Sequence, residues 1–534
     1  MKAAAILPIL AMAAVSLRAQ APAAKPGSVQ GVVTNSVTSE PLKKALVLLG
    51  DKYTAMTDAA GHFHFDNVAP GRYIVTADKD GFQATGGGPR QQVTVAEEQQ
   101  VQDVTVKLMP LATVSGHVFD EDGDPLPGAQ VAVLRYFYGP GLKRLNPAAF
   151  AQSNDLGEFE ALNLPPGRYY FQVTPPQPPR NIPPHTRWSH PEEAYPVTFH
   201  PNAREVAQAT ATDVATGAHV SNIDFRLRKM PAYHIRGSVS DENARPGAEG
   251  RVEVATPGLA FGGSIAGAAL QADGSFDLRG LVNGSYTVSY LRPASEKGFS
   301  AGQTVRVSDA DLSGVVLAQR PSLDVSGTVT VEGPQPDKVD LRINLVSVQG
   351  SSLRRNGGES AGGDFVMRGV PAQSYQLQIS NVPPGKYVKS IRLGDRENNS
   401  GEIDLSEHTS ASLSLVLGAD GGEVDGMVQN SSGQPAAATQ VTLAPATEYD
   451  ARSDLLKRAV TDASGNFQIK DVAPGEYKIF AWESDPEGSS QNAEFRKPFE
   501  IKSAAVTVGP KEKASVQVNV ITADDVEKER INLP

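Results

Sequence analysis

The sequence predicts an all-β protein, a tandem array of five antiparallel β-sandwich domains, and three observations lead there. An apolar–x–Gly–x–Val opening recurs at Val29–Val33, Val114–Val118, Ile235–Val239, Val325–Val329 and Val424–Val428. Each opening is followed by an aromatic and a tyrosine: Phe63 with Tyr73, Phe159 with Tyr169, Phe276 with Tyr286, Phe365 with Tyr375, and Phe467 with Tyr477. Around these markers apolar residues alternate with period two. A fixed period makes each copy one folded unit. The anchoring glycines Gly31, Gly116, Gly237, Gly327 and Gly426 stand about 85 to 120 residues apart, room for a small domain with its own core.

The alternation identifies the strands. Tyr73, Val75 and Ala77 point one way while Ile74 and Thr76 point the other, and Tyr169/Phe171/Val173, Tyr286/Val288/Tyr290, Tyr375/Leu377/Ile379 and Tyr477/Ile479/Ala481 repeat the pattern. Such a strand has one face on a core. Ala45/Val47/Leu49 and its counterparts Ala129/Val131/Val133, Val252/Val254, Leu341/Ile343/Leu345 and Val441/Leu443 form an earlier strand of the same kind. Each copy ends on another: Val104–Leu108, Ile223–Leu227, Val315–Leu317, Leu413–Leu417 and Val516–Val520. About seven strands per copy imply two packed sheets.

The turns have a physical cause. In Asp58-Ala-Ala-Gly61 and Asp462-Ala-Ser-Gly465 the carboxylate caps the turn and Gly takes positive φ. Pro70-Gly71, Pro166-Gly167 and Pro474-Gly475 set the next reversal. The fourth copy has Gly362-Gly363 in place of the acidic turn, which argues against calcium sites there. Links between copies are only a few residues, so a semi-rigid string is expected.

Residues 1–19 read as a signal peptide: Lys2 is the positive start and Ala3 to Leu17 the apolar run. Leu17-Arg18-Ala19 or Ala19-Gln20-Ala21 is the small-residue cleavage site, the first preferred because the second leaves Pro22 just past the cut. The expected division is 20–27 linker, 28–110 first sandwich, 111–230 second with a long Pro/aromatic insertion, 231–319 third, 320–420 fourth, 421–522 fifth and 523–534 charged tail. The absence of cysteine removes disulfides and thiol chemistry. A net charge of −11 without a Lys/Arg cluster argues against nucleic acid. No span is expected in the mature chain.

At Val-x-Gly-x-Val, Pro-Leu-x-x-Ala-x-Val, Asp-x-x-Gly-x-Phe and Pro-Gly-x-Tyr the chain resembles the carboxypeptidase regulatory-like domain, a transthyretin-like (prealbumin-like) sandwich of exported bacterial proteins. The first, second and fifth copies fit well, and Pro125-Leu-Pro-Gly-Ala129 is a close instance. The third and fourth are degenerate in the turns. The resemblance implies fold and export but hardly any activity, because the module is an accessory on unrelated proteins. Its grouping with carbohydrate-binding-like folds implies sugar binding as one possibility.

Candidate chemistry is sparse. His190-Pro-Glu-Glu193 matches a His-x-x-Glu zinc pair but lies in a Pro-rich loop without a catalytic scaffold. His62, His64 and Asp66 share one solvent-facing strand face, where a transition metal is geometrically conceivable; an ordinary exposed strand is the plainer reading. The second copy carries Tyr136, Tyr138, Arg187, Trp188 and Tyr195, a candidate ligand or partner surface, since aromatics beside cations suit sugars and proteins alike. The competing reading folds these rings over the sandwich edge to protect it. Trp482 is expected to pack under the loop that follows it.

The function predicted is an exported, non-enzymatic, periplasmic or extracellular array, a spacer and protein-interaction module at the cell envelope, with no cofactor. Its partner is a cell-envelope protein or a polysaccharide. The alternatives are a carbohydrate-binding protein using the second-copy aromatics and, more remotely, a zinc peptidase through His190 and Glu193.

Overall fold

In the computed structural model, residues 25–530 are described apart from 85–90, 140–141, 177–192, 241–249, 257–264, 292–298, 301, 321, 335–338, 348–354, 360–362, 447–448 and 450–451. The signal peptide over 1–19 and most of the 20–27 linker lie outside the described residues. The chain divides into two compact units, one holding residues up to Asp80 together with the stretch Pro89–Leu108, the other the remainder.

The first unit is a sandwich. Its opening strand Gly27–Asn35 pairs antiparallel with His62–Val68 and parallel with Gln100–Pro110. The facing sheet runs Tyr53–Met56, Leu46–Leu49, Gly71–Asp78, Gln91–Val95. Val29, Val33, Val47, Leu49, Phe63, Phe65 and Val75 fill the space between them. These are the residues the alternation places inward.

The second unit repeats the plan. Opening strands Ala112–Phe119, Met230–Ser240, Ser322–Val331 and Gly422–Gln429 pair antiparallel with Glu158–Leu164, Ser275–Val282, Asp364–Pro371 and Asn466–Val472. They pair parallel with Phe225–Arg226, Leu312–Arg320, Ala411–Gly418 and Lys513–Ile521. The sheets are therefore antiparallel-rich but mixed, because the last strand of a copy returns beside the first after the chain has crossed the other sheet. Separate buried clusters form around Phe159, Phe276, Phe365 and Phe467.

Two recurrent contacts hold each copy. The opening-strand glycine lies directly opposite the phenylalanine: Gly31 and Phe63, Gly116 and Phe159, Gly237 and Phe276, Gly327 and Phe365, Gly426 and Phe467. A Cβ on Gly31 or Gly237 would stand 2.7 Å from the ring's Cζ, so the bare backbone is what lets the ring lie across the strand. The tyrosine hydroxyl donates to the carbonyl four residues upstream, across the turn. Tyr73 reaches Ala69 at 2.7 Å, Tyr169 reaches Pro165 at 2.6 Å, Tyr286 reaches Val282 at 2.6 Å, Tyr375 reaches Pro371 at 2.8 Å and Tyr477 reaches Ala473 at 2.8 Å. Where the latch is buried, at Tyr286, Tyr375 and Tyr477, it adds about 1 kcal/mol net and satisfies a carbonyl that the turn would otherwise strand. Burial pushes the Tyr286 hydroxyl up to about 12, and that of Tyr477 higher still.

Six residues before each tyrosine the backbone enters positive φ, at Asn67, Asn163, Gly280, Gly369 and Asp471. The partner register slips there, as a β-bulge requires. The acidic turns form as expected: the Asp58 carboxylate accepts from the backbone N–H of Ala60 and His62, and Asp462 from those of Ser464 and Asn466.

The copies of the second unit are not strung in line. Strand Glu193–Ala194, from the second copy's insertion, pairs with Met230–Pro231 of the third copy's opening strand. Arg204 donates to the carbonyl of Asn283 at 2.9 Å. Arg452 of the fifth copy, forked on Asp454, donates to the carbonyl of Val388 in the fourth. The second copy also meets the fourth and the fifth directly. Short links limit bending only between neighbours; insertions decide which distant copies meet.

The charged tail expected over 523–534 begins as a helix, Ala523–Arg530. Thr522 and Asp525 close a reciprocal cap at its start, and Val526 is buried among aromatics of the fifth copy. Lys502 beside Asp525 holds its carboxyl down at about 2.

Candidate interaction site

The second copy's strands Gln130–Gly139 and Leu142–Gln152 form a hairpin far longer than Leu46–Leu49 with Tyr53–Met56 of the first. Alternation puts Ala132, Leu134, Tyr136 and Tyr138 on the face away from the sandwich core. Near the core end, Leu134 is covered by Leu145, Tyr170, Phe199 and Ala203 of the same copy. Toward the tip the cover comes from the fifth copy.

There the chain departs from the repeat. Between Trp482 and Ala504 it inserts short helical turns, with helix Ala493–Arg496 at their centre. Phe495 and Phe499, one helical turn apart, drop onto Trp482, whose indole stacks on Phe480 at 5.6 Å. Trp482 is fully buried beneath the segment that follows it, as the sequence predicts.

Tyr138 joins this cluster. Its ring lies 5.7 Å from Phe495 and 6.4 Å from Tyr136, which meets Tyr170 edge-on at 5.8 Å. Lys143 Nζ stands 5.0 Å from the Tyr136 ring, 5.8 Å from that of Tyr138, and 2.8 Å from Glu494. Burial, with Glu494 nearby, pushes the Tyr136 hydroxyl up. Asn492 works on both sides of the contact. Its side-chain oxygen caps helix Ala493–Arg496 through the N–H of Phe495, and its amide donates to the carbonyl of Gly139 at 2.9 Å. Arg144, on the same hairpin, donates to the carbonyl of Ser347 in the fourth copy. Burial pushes its guanidinium down.

The predicted site residues therefore separate. Tyr136 and Tyr138 come together in a contact within the chain, and Tyr138 at 8% exposure offers no open ring face to a sugar. Tyr195 belongs to a different cluster: Lys229 Nζ is 5.3 Å from its ring and 3.0 Å from Glu121, and the Tyr195 hydroxyl is pushed up by burial and by its bond to Glu121. Arg187, Trp188 and His190 lie outside the described residues. Glu193 is exposed and sits in the strand paired with the third copy. His62 and His64 face outward as expected, with His64 Nε2 2.7 Å from Asp66. Phe495 and Phe499 were legible only as an aromatic surplus in the fifth copy, at helical spacing inside an otherwise β-patterned unit, and Asn492 carried no signal of its own.

Among the described residues no helix is long and apolar enough to cross a membrane. No curated protein matches the chain. Solved structures similar to it include a streptococcal ancillary pilin (13% identity, 56% of this chain and 100% of that one, TM-score 0.19). The Bacillus anthracis TIE protein is similar at 10% identity over 91% of this chain and 76% of that one, TM-score 0.16. BcpA, the major pilin subunit of Bacillus cereus, is similar at 11% identity over 55% and 99%, TM-score 0.16. The family model of the carboxypeptidase regulatory-like domain matches residues 28–109. That matched segment is the one that holds the first latch, the first Gly–Phe pair and two facing sheets, so its likeness to the carboxypeptidase regulatory-like domain rests on both sequence and fold.

Proposed function

We propose that the protein is an exported, non-enzymatic array of sandwich modules that acts as a spacer and protein-interaction scaffold at the cell envelope. One observation carries the reading. What the copies share is confined to core, turn and latch: the Gly–Phe pair, the tyrosine hydroxyl bond and the bulge. What individual copies add, the long hairpin around Tyr138 and the helical insertion around Phe495, is spent on contacts between sandwiches. A chain whose shared and private residues both serve packing is suited to holding and positioning. The five-fold division, with boundaries at 28, 111, 231, 320 and 421, belongs to this reading.

The test is to express the chain with a C-terminal tag in its host, fractionate the cells, and sequence the N-terminus of the recovered protein. A mature chain starting at Gln20 in an envelope or extracellular fraction, inert toward peptide and glycoside substrates, supports the reading. An uncut chain in the cytoplasm, or turnover of any of those substrates, overturns it.

A further inference from the structure

The outer face of the sheet containing the latch tyrosine is the face by which these copies meet other structure. In the second copy it carries Leu134, Tyr170 and Gln172, at 0%, 8% and 3% exposure. In the fifth it carries Thr442, Ala444, Phe480 and Trp482, none above 2%. In the fourth, Val346 and Gln376 are buried on it. The third copy makes this face polar, with Arg251 and Glu253 ion-paired at 3.1 Å and Thr287 and Ser289 beside them, all half-buried.

The first copy breaks that rule. The equivalent positions, aligned by strand register, are Leu46, Leu48, Ile74 and Thr76, with Met56 directly opposite Leu46 on the neighbouring strand. Leu46, Ile74 and Met56 are 38%, 37% and 58% exposed. Where the third copy carries an ion pair, the first presents an aliphatic stripe. The outward row along Gly71–Asp78 reads Arg72, Ile74, Thr76, Asp78, a cation at one end and an anion at the other. Among the described residues neither Arg72 nor Asp78 makes an ion pair.

We infer that this face of the first copy is a docking surface for the same face of a second copy of this chain. A two-fold axis lying in the interface and perpendicular to that strand runs the two rows antiparallel. Arg72 of one chain then meets Asp78 of the other, and each Ile74 meets a Thr76. A patch with opposite charges at the two ends of one apolar row is self-complementary, which is what an isologous interface demands. It also gives the first copy's outer face a cover, as the same face has in the second and fifth copies. The inference rests on reading the chain as an interaction scaffold and names one partner, itself.

The experiment is sedimentation equilibrium of the mature full-length chain and three variants, each checked for an unchanged melting profile. The expected result is a reversible dimer. Arg72→Asp, which sets anion against anion, weakens it about tenfold or more, and Asp78→Arg does the same through paired cations. The double variant Arg72→Asp/Asp78→Arg restores it. Because the chain lacks cysteine, Leu48→Cys supplies a single thiol, and a short bis-maleimide should join two chains through it. A chain that remains monomeric at about 100 μM, well above the micromolar range of functional interfaces, overturns the pairing. So does a dimer indifferent to both charge reversals. A monomer that still reaches the envelope leaves the scaffold reading intact, so the two fail separately.

Discussion

Tyr138 packs against Phe495 with ring centroids 5.7 Å apart, joining the hairpin of one sandwich to the helical insertion of another far along the chain. The helix cap is part of the same joint, since Asn492 holds Phe495 in place with one side-chain atom and grips Gly139 with the other. Neither insertion has this cover by itself.

The pair should therefore be energetically coupled. Tyr138→Ala and Phe495→Ala each open a cavity and cost about 3–5 kcal/mol. In a double-mutant cycle followed by urea denaturation the coupling should come to about 0.5–1.5 kcal/mol. Additive losses would mean that the rings do not meet in solution. Proteolysis of the single variants should nick the chain first within the 486–502 insertion.

Removing one latch oxygen tests the repeat's own device. Tyr375→Phe keeps the buried ring and strands the Pro371 carbonyl, at a cost of about 1 kcal/mol. Tyr169→Phe should cost no more, because its bond spans the same four-residue turn but is only part-buried. A neutral result at both positions, read by denaturation midpoint, would show that water replaces the bond.

Gly237→Ala should be worse than its one methyl suggests. The added Cβ meets the Phe276 ring at 2.7 Å and crowds the Val315 backbone carbonyl, which cannot rotate away. Overpacking of this kind costs about 1–3 kcal/mol. Trimming the ring with Phe276→Leu should return only part of it. Full recovery in the double variant would place the whole conflict on the ring.

Acid should weaken the second copy through His200. Its ring lies edge-on to Phe171 and Phe225, its Nδ1 is buried with no hydrogen-bond partner among the described residues, and burial holds it below the usual histidine range despite Asp224. The unfolded chain then takes up a proton near pH 6.5 while the folded one resists. Stability from this group is present above about pH 6.5 and is lost as pH falls below it. His200→Gln should flatten the fall in melting temperature between pH 7.5 and 5.5. An unchanged slope would assign the acid sensitivity elsewhere.

Much of the fold was legible because a strand's two faces are written in alternate residues. Val47, Leu49, Val75 and their counterparts are buried where the alternation puts them. The turn caps at Asp58 and Asp462 are as local as the motifs that announce them. The bulge residues Asn67, Asn163 and Asp471 were in view but unread, since a single residue tolerant of positive φ is not a pattern until register shows the slip. Tyr136 and Tyr138 were legible as surplus aromatics. Their destination was not, because it depends on Phe495 and Asn492 some 350 residues later.

Sequence alone thus determined the all-β class, the repeating unit, its inward residues and its turns, all of which follow from interactions within a few residues or across one sheet. Only the tertiary structure decided that the opening and last strands of each copy run parallel, that the tail starts as a docked helix, and that the second copy closes on the fifth. Those outcomes depend on which surfaces find complementary partners in space. Complementarity between distant segments leaves no period in the chain from which it could be read.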